Sequence, residues 1–187
     1  MRVALFGGAF DPPHVGHLLV AAYVVGTADV DQLWLMPAHR HAFDKEMAPF
    51  FHRLEMCSAL AAMFRKNVHT TSIESEVPGK GYTVDTLELL CSRYPSHEFR
   101  LVVGSDILEQ TDAWRDFDRV EELAPLLVVA RAGHPHPRAA GTPEMPPVSS
   151  TEVRRRLAAG EDVSHLVPRP VLEYIRATGL YRAATSR

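Results

Sequence analysis

The sequence predicts an α/β fold: an open parallel sheet with helices on both faces. Three observations carry that prediction. Unbroken apolar runs of strand length suit strands buried on both faces, they alternate with stretches of helical spacing, and polar segments rich in chemistry follow directly on the ends of several runs.

Val3, Ala4, Leu5 and Phe6 form the first run. Gly7 and Gly8 end it, letting the backbone turn sharply and approach a ligand with no side chain between. Asp11-Pro12-Pro13 continues the irregular path, and a helix is expected from about His14, with the prolines where a first turn tolerates them. Strand, glycine turn and helix N-terminus together make an anion site, because free N–H groups and the positive end of the helix dipole converge there. His14 and His17 are three residues apart, so a helix sets them on one face with Gly16 leaving room between. Both have the chemistry to hydrogen-bond successive phosphate oxygens, and an anion beside them would raise their proton affinity. The alternatives are a capping histidine with a core histidine, or a shared metal ion. The metal reading lacks a third Cys, His or carboxylate at a recognised ligand spacing.

Gln32-Leu-Trp-Leu-Met-Pro37 is the second buried strand, stopped by its proline, and strand–helix–strand in this order predicts a right-handed parallel crossover. The 38–48 loop that follows carries His39, Arg40, His41 and Lys45 at a strand's carboxyl end, where ligand loops lie; a solvated loop is the competing reading. Residues 49–64 have helical spacing, with Phe50, Met56, Leu60 and Met63 expected in the core and Arg53 expected to be structural. Val68–Ile73 is the third expected strand, Glu74–Gly81 a loop, and the next helix is expected to start with Thr83 as its N-cap. Gly79-Lys80-Gly81 lacks the spacing of a Walker phosphate loop.

Glu98–Gly104 is the fourth strand, running into Ser105, Asp106 and, eight residues beyond Asp106, Trp114. A carboxylate there suits ribose hydroxyls and an indole suits a flat ring; helix capping and core packing are the plain alternatives. Pro125–Ala130 is the fifth strand. Residues 132–147, rich in Gly, Pro and His, read as a mobile surface loop with too little apolar surface for a buried element. From Val148 a helix opens with Ser149, Ser150 and Thr151 and continues to Arg154, Arg155 and Arg156: a phosphate cradle, or a capped basic helix, with Arg155 and Arg156 facing solvent. A last short helix, Arg169–Tyr181, ends at Gly179 and has a structural role.

With 187 residues, 46% hydrophobic, the chain is sized for one domain, 1–187, whose C-terminal helical part, 148–187, carries the second anion motif. A formal net charge of −3 argues against a bulk grip on nucleic acid while permitting a basic pocket. Cys57 and Cys91 lie in separate expected helices, so no disulfide framework is expected and a reducing cytoplasm fits. Neither a signal-peptide pattern nor an apolar run of membrane-span length is found.

Gly7-Gly8-Ala9-Phe10-Asp11-Pro12-Pro13-His14-Val15-Gly16-His17 resembles the signature of the nucleotidylyltransferase superfamily, most closely that of bacterial nicotinate-nucleotide adenylyltransferases. Tyr82-Thr83-Val84-Asp85-Thr86-Leu87 resembles their Ser-Tyr-Thr-x-x-Thr-Leu stretch, with Gly81 in place of the serine. Gly104-Ser105-Asp106 with Trp114 resembles their Gly-Ala-Asp and following Trp, and Ser149-Ser150-Thr151-Glu152-Val153-Arg154 the superfamily's Ser-Ser-Thr-x-x-Arg. The 38–48 loop departs from the pattern by lacking Pro-Pro-His-Lys, and Gln110-Thr111-Asp112 departs where the family more often has leucine.

The resemblance implies a Rossmann-like sheet of nucleotidylyltransferase type and transfer of AMP from ATP, with Mg²⁺, to nicotinate mononucleotide in NAD biosynthesis. It implies catalytic roles for His14, His17 and Arg154, and ATP contacts from Gly7, Gly8, Phe10, Gly104, Asp106, Ser150 and Thr151. Acceptor contacts fall to Tyr82, Thr83, Thr86, Trp114 and Lys45, with Arg40 competing for the last role. The partners expected are these small molecules, with neither nucleic acid nor membrane and with a homo-oligomer left open. Nicotinamide mononucleotide or phosphopantetheine as acceptor, and a nucleotide-binding sensor without turnover, are the alternatives.

Overall fold

The structure is a computed structural model describing residues 1–40 and 47–182. Its elements run β1 (Arg2–Gly8), α1 (Val15–Thr27), β2 (Gln32–Pro37), α2 (Phe50–Ala61), β3 (Val68–Thr70), α3 (Thr83–Arg93), β4 (Glu98–Gly104), α4 (Phe117–Leu123), β5 (Leu126–Val129), α5 (Ser150–Ala158) and α6 (Arg169–Thr178). The strands form one sheet in the order β3-β2-β1-β4-β5, every neighbouring pair parallel. The chain winds outward from β1 to β3, then crosses over to β4 on the other side. The point of divergence is at the carboxyl ends of β1 and β4, where an open sheet leaves a crevice.

Alternation along each strand fills two layers. In β1, Ala4 and Phe6 face a layer with Ala21 and Val24 of α1, Met56 and Leu60 of α2, and Leu172 and Ile175 of α6. Val3 and Leu5 face the opposite layer, with Val84, Leu87 and Leu90 of α3 and Val120 of α4. Both faces being covered explains why the strands read as continuous apolar runs. Leu5, Leu33 and Leu35 are fully buried, each worth about 1.5–3 kcal/mol.

The structure departs from the sequence expectations in places that have local causes. β3 stops at Thr70; the Thr71 hydroxyl then accepts from the N–H of Ile73, and Ile73–Glu76 forms a 3-10 turn. Met63 is 46% exposed, because α2 ends at Ala61 and the tighter turn Ala62–Phe64 rotates it off the buried face. Tyr82, not Thr83, is the N-cap of α3: Gly81 turns the chain at φ +68°, leaving Tyr82 extended and Thr83 as the first helical residue. α4 has no counterpart in the sequence reading. The 132–147 segment is no featureless surface loop, since it buries Ala139 and Met145 and folds back on the end of β5. There the N–H of Ala130 donates to Thr142 Oγ1 at 2.8 Å, and Met145 donates to the carbonyl of Ala130 at 3.0 Å. Arg53 is structural as expected: 1% exposed, it donates to the carbonyls of Ala9, Ala38 and Ala48 and so ties the loops after β1 and β2 together. Among the described residues, no helix is long and apolar enough to cross a membrane.

Candidate active site

A cleft of about 380 Å³ opens at the carboxyl ends of the strands. Its floor is Gly7 and Gly8 at the end of β1 and Gly104 at the end of β4, where the backbone is bare. A Cβ on Gly104 would collide with Asp106 Oδ1, so glycine there makes room for the carboxylate.

His14 caps α1 and His17 sits one turn in, their ring centroids 3.8 Å apart. The His14 backbone N–H donates to His17 Nδ1 at 3.1 Å, which fixes the proton of a neutral His17 on Nε2. Gly16 is required beside them: a Cβ would lie 3.0 Å from two atoms of the His14 ring. Burial, then the Arg131 charge, pushes the His14 imidazole down to about 4. Burial, then His14 and Arg131, holds His17 well below the usual histidine range. Both rings are therefore neutral hydrogen-bonding groups in the free protein. The Phe10 ring is 1% exposed and lies beneath the cleft, 4.7 Å from the His17 ring, which it supports.

Asp106 stands on the β4 side, its Oδ2 3.1 Å from Arg131 Nη1 at the end of β5. Three buried polar side-chain atoms lack a partner among the described residues, and two belong to this cleft, His14 Nδ1 and Asp106 Oδ1. Such groups cost free energy until something bonds them, which marks a place prepared for a polar ligand.

The first turn of α5 approaches from the C-terminal part. Ser150 Oγ donates to the carbonyl of Pro12 at 2.9 Å, and Arg154 donates to the carbonyl of Asp11 with Nη1 3.3 Å from its carboxylate. Arg154 Nη2 also donates to Thr151 Oγ1 at 3.4 Å. These residues brace the loop between β1 and α1 and do not line the cleft wall. Asp11, 2% exposed, further accepts from Tyr181 Oη at 2.7 Å.

On the other side, Thr83 at the start of α3 and the half-buried Trp114 line the cleft. The Tyr82 ring lies under the Arg115 guanidinium, 5.2 Å away, and Thr86 is fully buried with its hydroxyl on Glu74 at 3.0 Å. Thr86 thus acts behind the wall. Lys45 falls outside the described residues; Arg40 lines the cleft and donates to the carbonyl of Gly79 at 2.6 Å. No group of three or more His, Cys, Asp or Glu side chains among the described residues could hold a metal ion.

The cytidylyltransferase-like family model matches residues 5–156, from within β1, across the other four strands, to within α5. The chain belongs to that family. A probable nicotinate-nucleotide adenylyltransferase of Anaeromyxobacter dehalogenans (strain 2CP-C) is 51% identical over 97% of each chain. The nicotinate-nucleotide adenylyltransferase of Bacillus subtilis (strain 168) is 35% identical over 97% of this chain and 99% of its own. The fold matches that of Plasmodium falciparum nicotinic acid mononucleotide adenylyltransferase complexed with NaAD, with a TM-score of 0.78 over 96% of this chain and 97% of that one at 18% identity.

Within this cytidylyltransferase-like site, sequence reasoning passed over Asp11, Glu74, Arg131 and Tyr181. Arg131 was open to the argument that selected Asp106, since both follow the end of a strand. Asp11 lay inside the motif itself. Glu74 and Tyr181 carried no local signal; only the fold brings them to the cleft and its loop.

Proposed function

We propose that this protein transfers the adenylyl group of ATP to nicotinate mononucleotide, releasing pyrophosphate and forming nicotinate adenine dinucleotide. The observation that carries the reading is that two helix N-termini, those of α1 and α3, open into one cleft. Each is an anion site. One suits a phosphate chain, the other a ring carboxylate.

The acceptor phosphate is already ionised at neutral pH, so it attacks the α-phosphorus directly. A new P–O bond forms as the bond to the β-phosphate breaks, and the enzyme needs neither nucleophile nor general base. Catalysis is then positioning plus stabilisation of charge on the phosphoryl oxygens. His17 Nε2–H, its tautomer set by the His14 N–H, and the His14 ring donate to those oxygens. Arg154, Ser150 and Thr151, beside the same loop, receive the pyrophosphate once ligand binding loosens the bond of Arg154 to Asp11 and that of Ser150 to Pro12. Mg²⁺ would come as part of the ATP substrate and would supply charge stabilisation to its phosphate groups, beside the donors that this chain provides in His14, His17 and Arg154. Asp106 accepts from ribose hydroxyls through its unpartnered Oδ1, and Trp114 offers its face to the pyridine ring.

Pyrophosphate release from ATP and Mg²⁺, with nicotinate mononucleotide, nicotinamide mononucleotide and phosphopantetheine offered separately, tests this. A preference for the nicotinate acceptor supports it. Release with phosphopantetheine alone, or with no acceptor, overturns it.

A further inference from the structure

Glu74 lines the cleft, yet it is only 7% exposed and, among the described residues, has no cationic partner. One carboxyl oxygen accepts from the Thr86 hydroxyl in the first turns of α3, and the backbone N–H of His39 is directed at the group. The other oxygen faces Gly81, the residue that turns the chain into α3: a Cβ there would come within 3.6 Å of Glu74 Oε2. A ring lying on Trp114 with its carboxylate at the helix start beside Thr83 brings that carboxylate against Glu74.

Two ionised carboxylates cannot share such a space, whereas a carboxylic acid beside a carboxylate donates a hydrogen bond to it. We propose that Glu74 reads the substituent of the acceptor ring, binding as a neutral acid that donates to the ring carboxylate, so that the nicotinate acceptor carries a proton into the site that the amide does not. The inference rests on the acceptor assignment above.

The surroundings favour the neutral form. Burial pushes the Glu74 carboxyl up to about 7, against the pull of its bonds to Thr86 and His39. Among the described residues, the charged groups around it are committed elsewhere. Glu76, on the same turn, pairs with Arg93 at 2.6 Å, and Asp85, in the first turn of α3, pairs with Arg115 at 3.0 Å. Arg40 is on the Gly79 carbonyl, and the His39 ring packs on Phe50 with centroids 4.9 Å apart.

The test is the ratio of KM for nicotinate mononucleotide to KM for nicotinamide mononucleotide between pH 6 and 8.5. Both acceptors carry the same phosphate and meet the same histidines, so those titrations cancel. For the unaltered protein the ratio should rise with pH above about 7, approaching tenfold per pH unit. In Glu74→Gln, which keeps a neutral donor, it should be flat. Calorimetric titration of the unaltered protein at pH 7.5, in two buffers of different ionisation enthalpy, should show a larger proton uptake with the acid than with the amide. This holds even if the variant does not fold. A flat ratio and equal proton uptake in a protein that turns over the nicotinate acceptor would overturn the role of Glu74 alone. Turnover of neither mononucleotide would instead remove the acceptor assignment itself.

Discussion

The backbone N–H of His14 donates to Nδ1 of His17 at 3.1 Å, so one histidine's main chain decides which nitrogen of the other carries the proton. The outward-facing Nε2–H is thus available as a phosphate donor without any protonation change. Replacing His17 with Ala should lower kcat by on the order of 10²–10³, as for other transition-state donors. The measurement is steady-state pyrophosphate release alongside circular dichroism. Unchanged turnover in a folded variant would remove His17 from the mechanism.

Gly16→Ala probes the same pair without touching either ring. The added methyl meets the His14 ring at 3.0 Å and must displace it. Because the glycine is helical and the ring lies at the cleft, stability should change by about 1 kcal/mol or less while kcat falls at least tenfold. Thermal melting and turnover measured together separate the two effects.

Arg53→Met should leave the fold poorer by on the order of 3 kcal/mol, lowering Tm by roughly 10 °C, since three half-buried carbonyls lose the charged donor they share. The buried Asp11 also loses a stabilising cation, as the attraction between the two groups shows. Denaturant titration at pH 7.5 checks the figure; a loss below 1 kcal/mol would mean water replaces the guanidinium.

Mild acid should draw stability from the protein through His14. The folded His14 resists protonation down to about 4, while an unfolded histidine binds a proton near 6.5. Between those values the unfolded chain binds more protons, so stability falls as pH falls; below about 4 the full loss from this group is reached. From pH 7.5 to 5 His14 alone accounts for roughly 2 kcal/mol, with His17 adding in the same direction. Glu74, whose carboxyl is pushed up by burial, works in the opposite sense over the same range, so the His14 contribution is read as the difference between the unaltered protein and His14→Gln in how far the denaturant midpoint moves from pH 7.5 to 5; equal movement in the two would remove it.

The strands were legible because burial on both faces writes itself as uninterrupted apolar sequence, and β2 and β4 match their expected ranges to the residue. The histidine pair and the start of α5 were legible because a motif is local. What was missed is what only packing creates. Met63 has the spacing of a core residue and loses its place to a change of helical pitch one residue earlier. Ala139 and Met145 sit among turn residues, yet the bond from the Ala130 N–H to the Thr142 hydroxyl and the bond from the Met145 N–H to the Ala130 carbonyl draw them inside, just past the end of β5. The start of α5 reads as a phosphate cradle or a capped basic helix; in the fold Ser150 and Arg154 donate to the carbonyls of Pro12 and Asp11, contacts between residues far apart in the chain that no local pattern encodes.

The bond from Tyr181 to Asp11 joins residues 170 positions apart. A chain emerging from the ribosome presents its glycine turn long before its tyrosine. Until then Asp11 has one fewer anchor, and Arg154, which grips the same residue, is itself late to arrive. The loop between β1 and α1 is thus drafted first and locked last. Copies that stop short of Tyr181 can bury much of the sheet and still lack the bond that completes this loop.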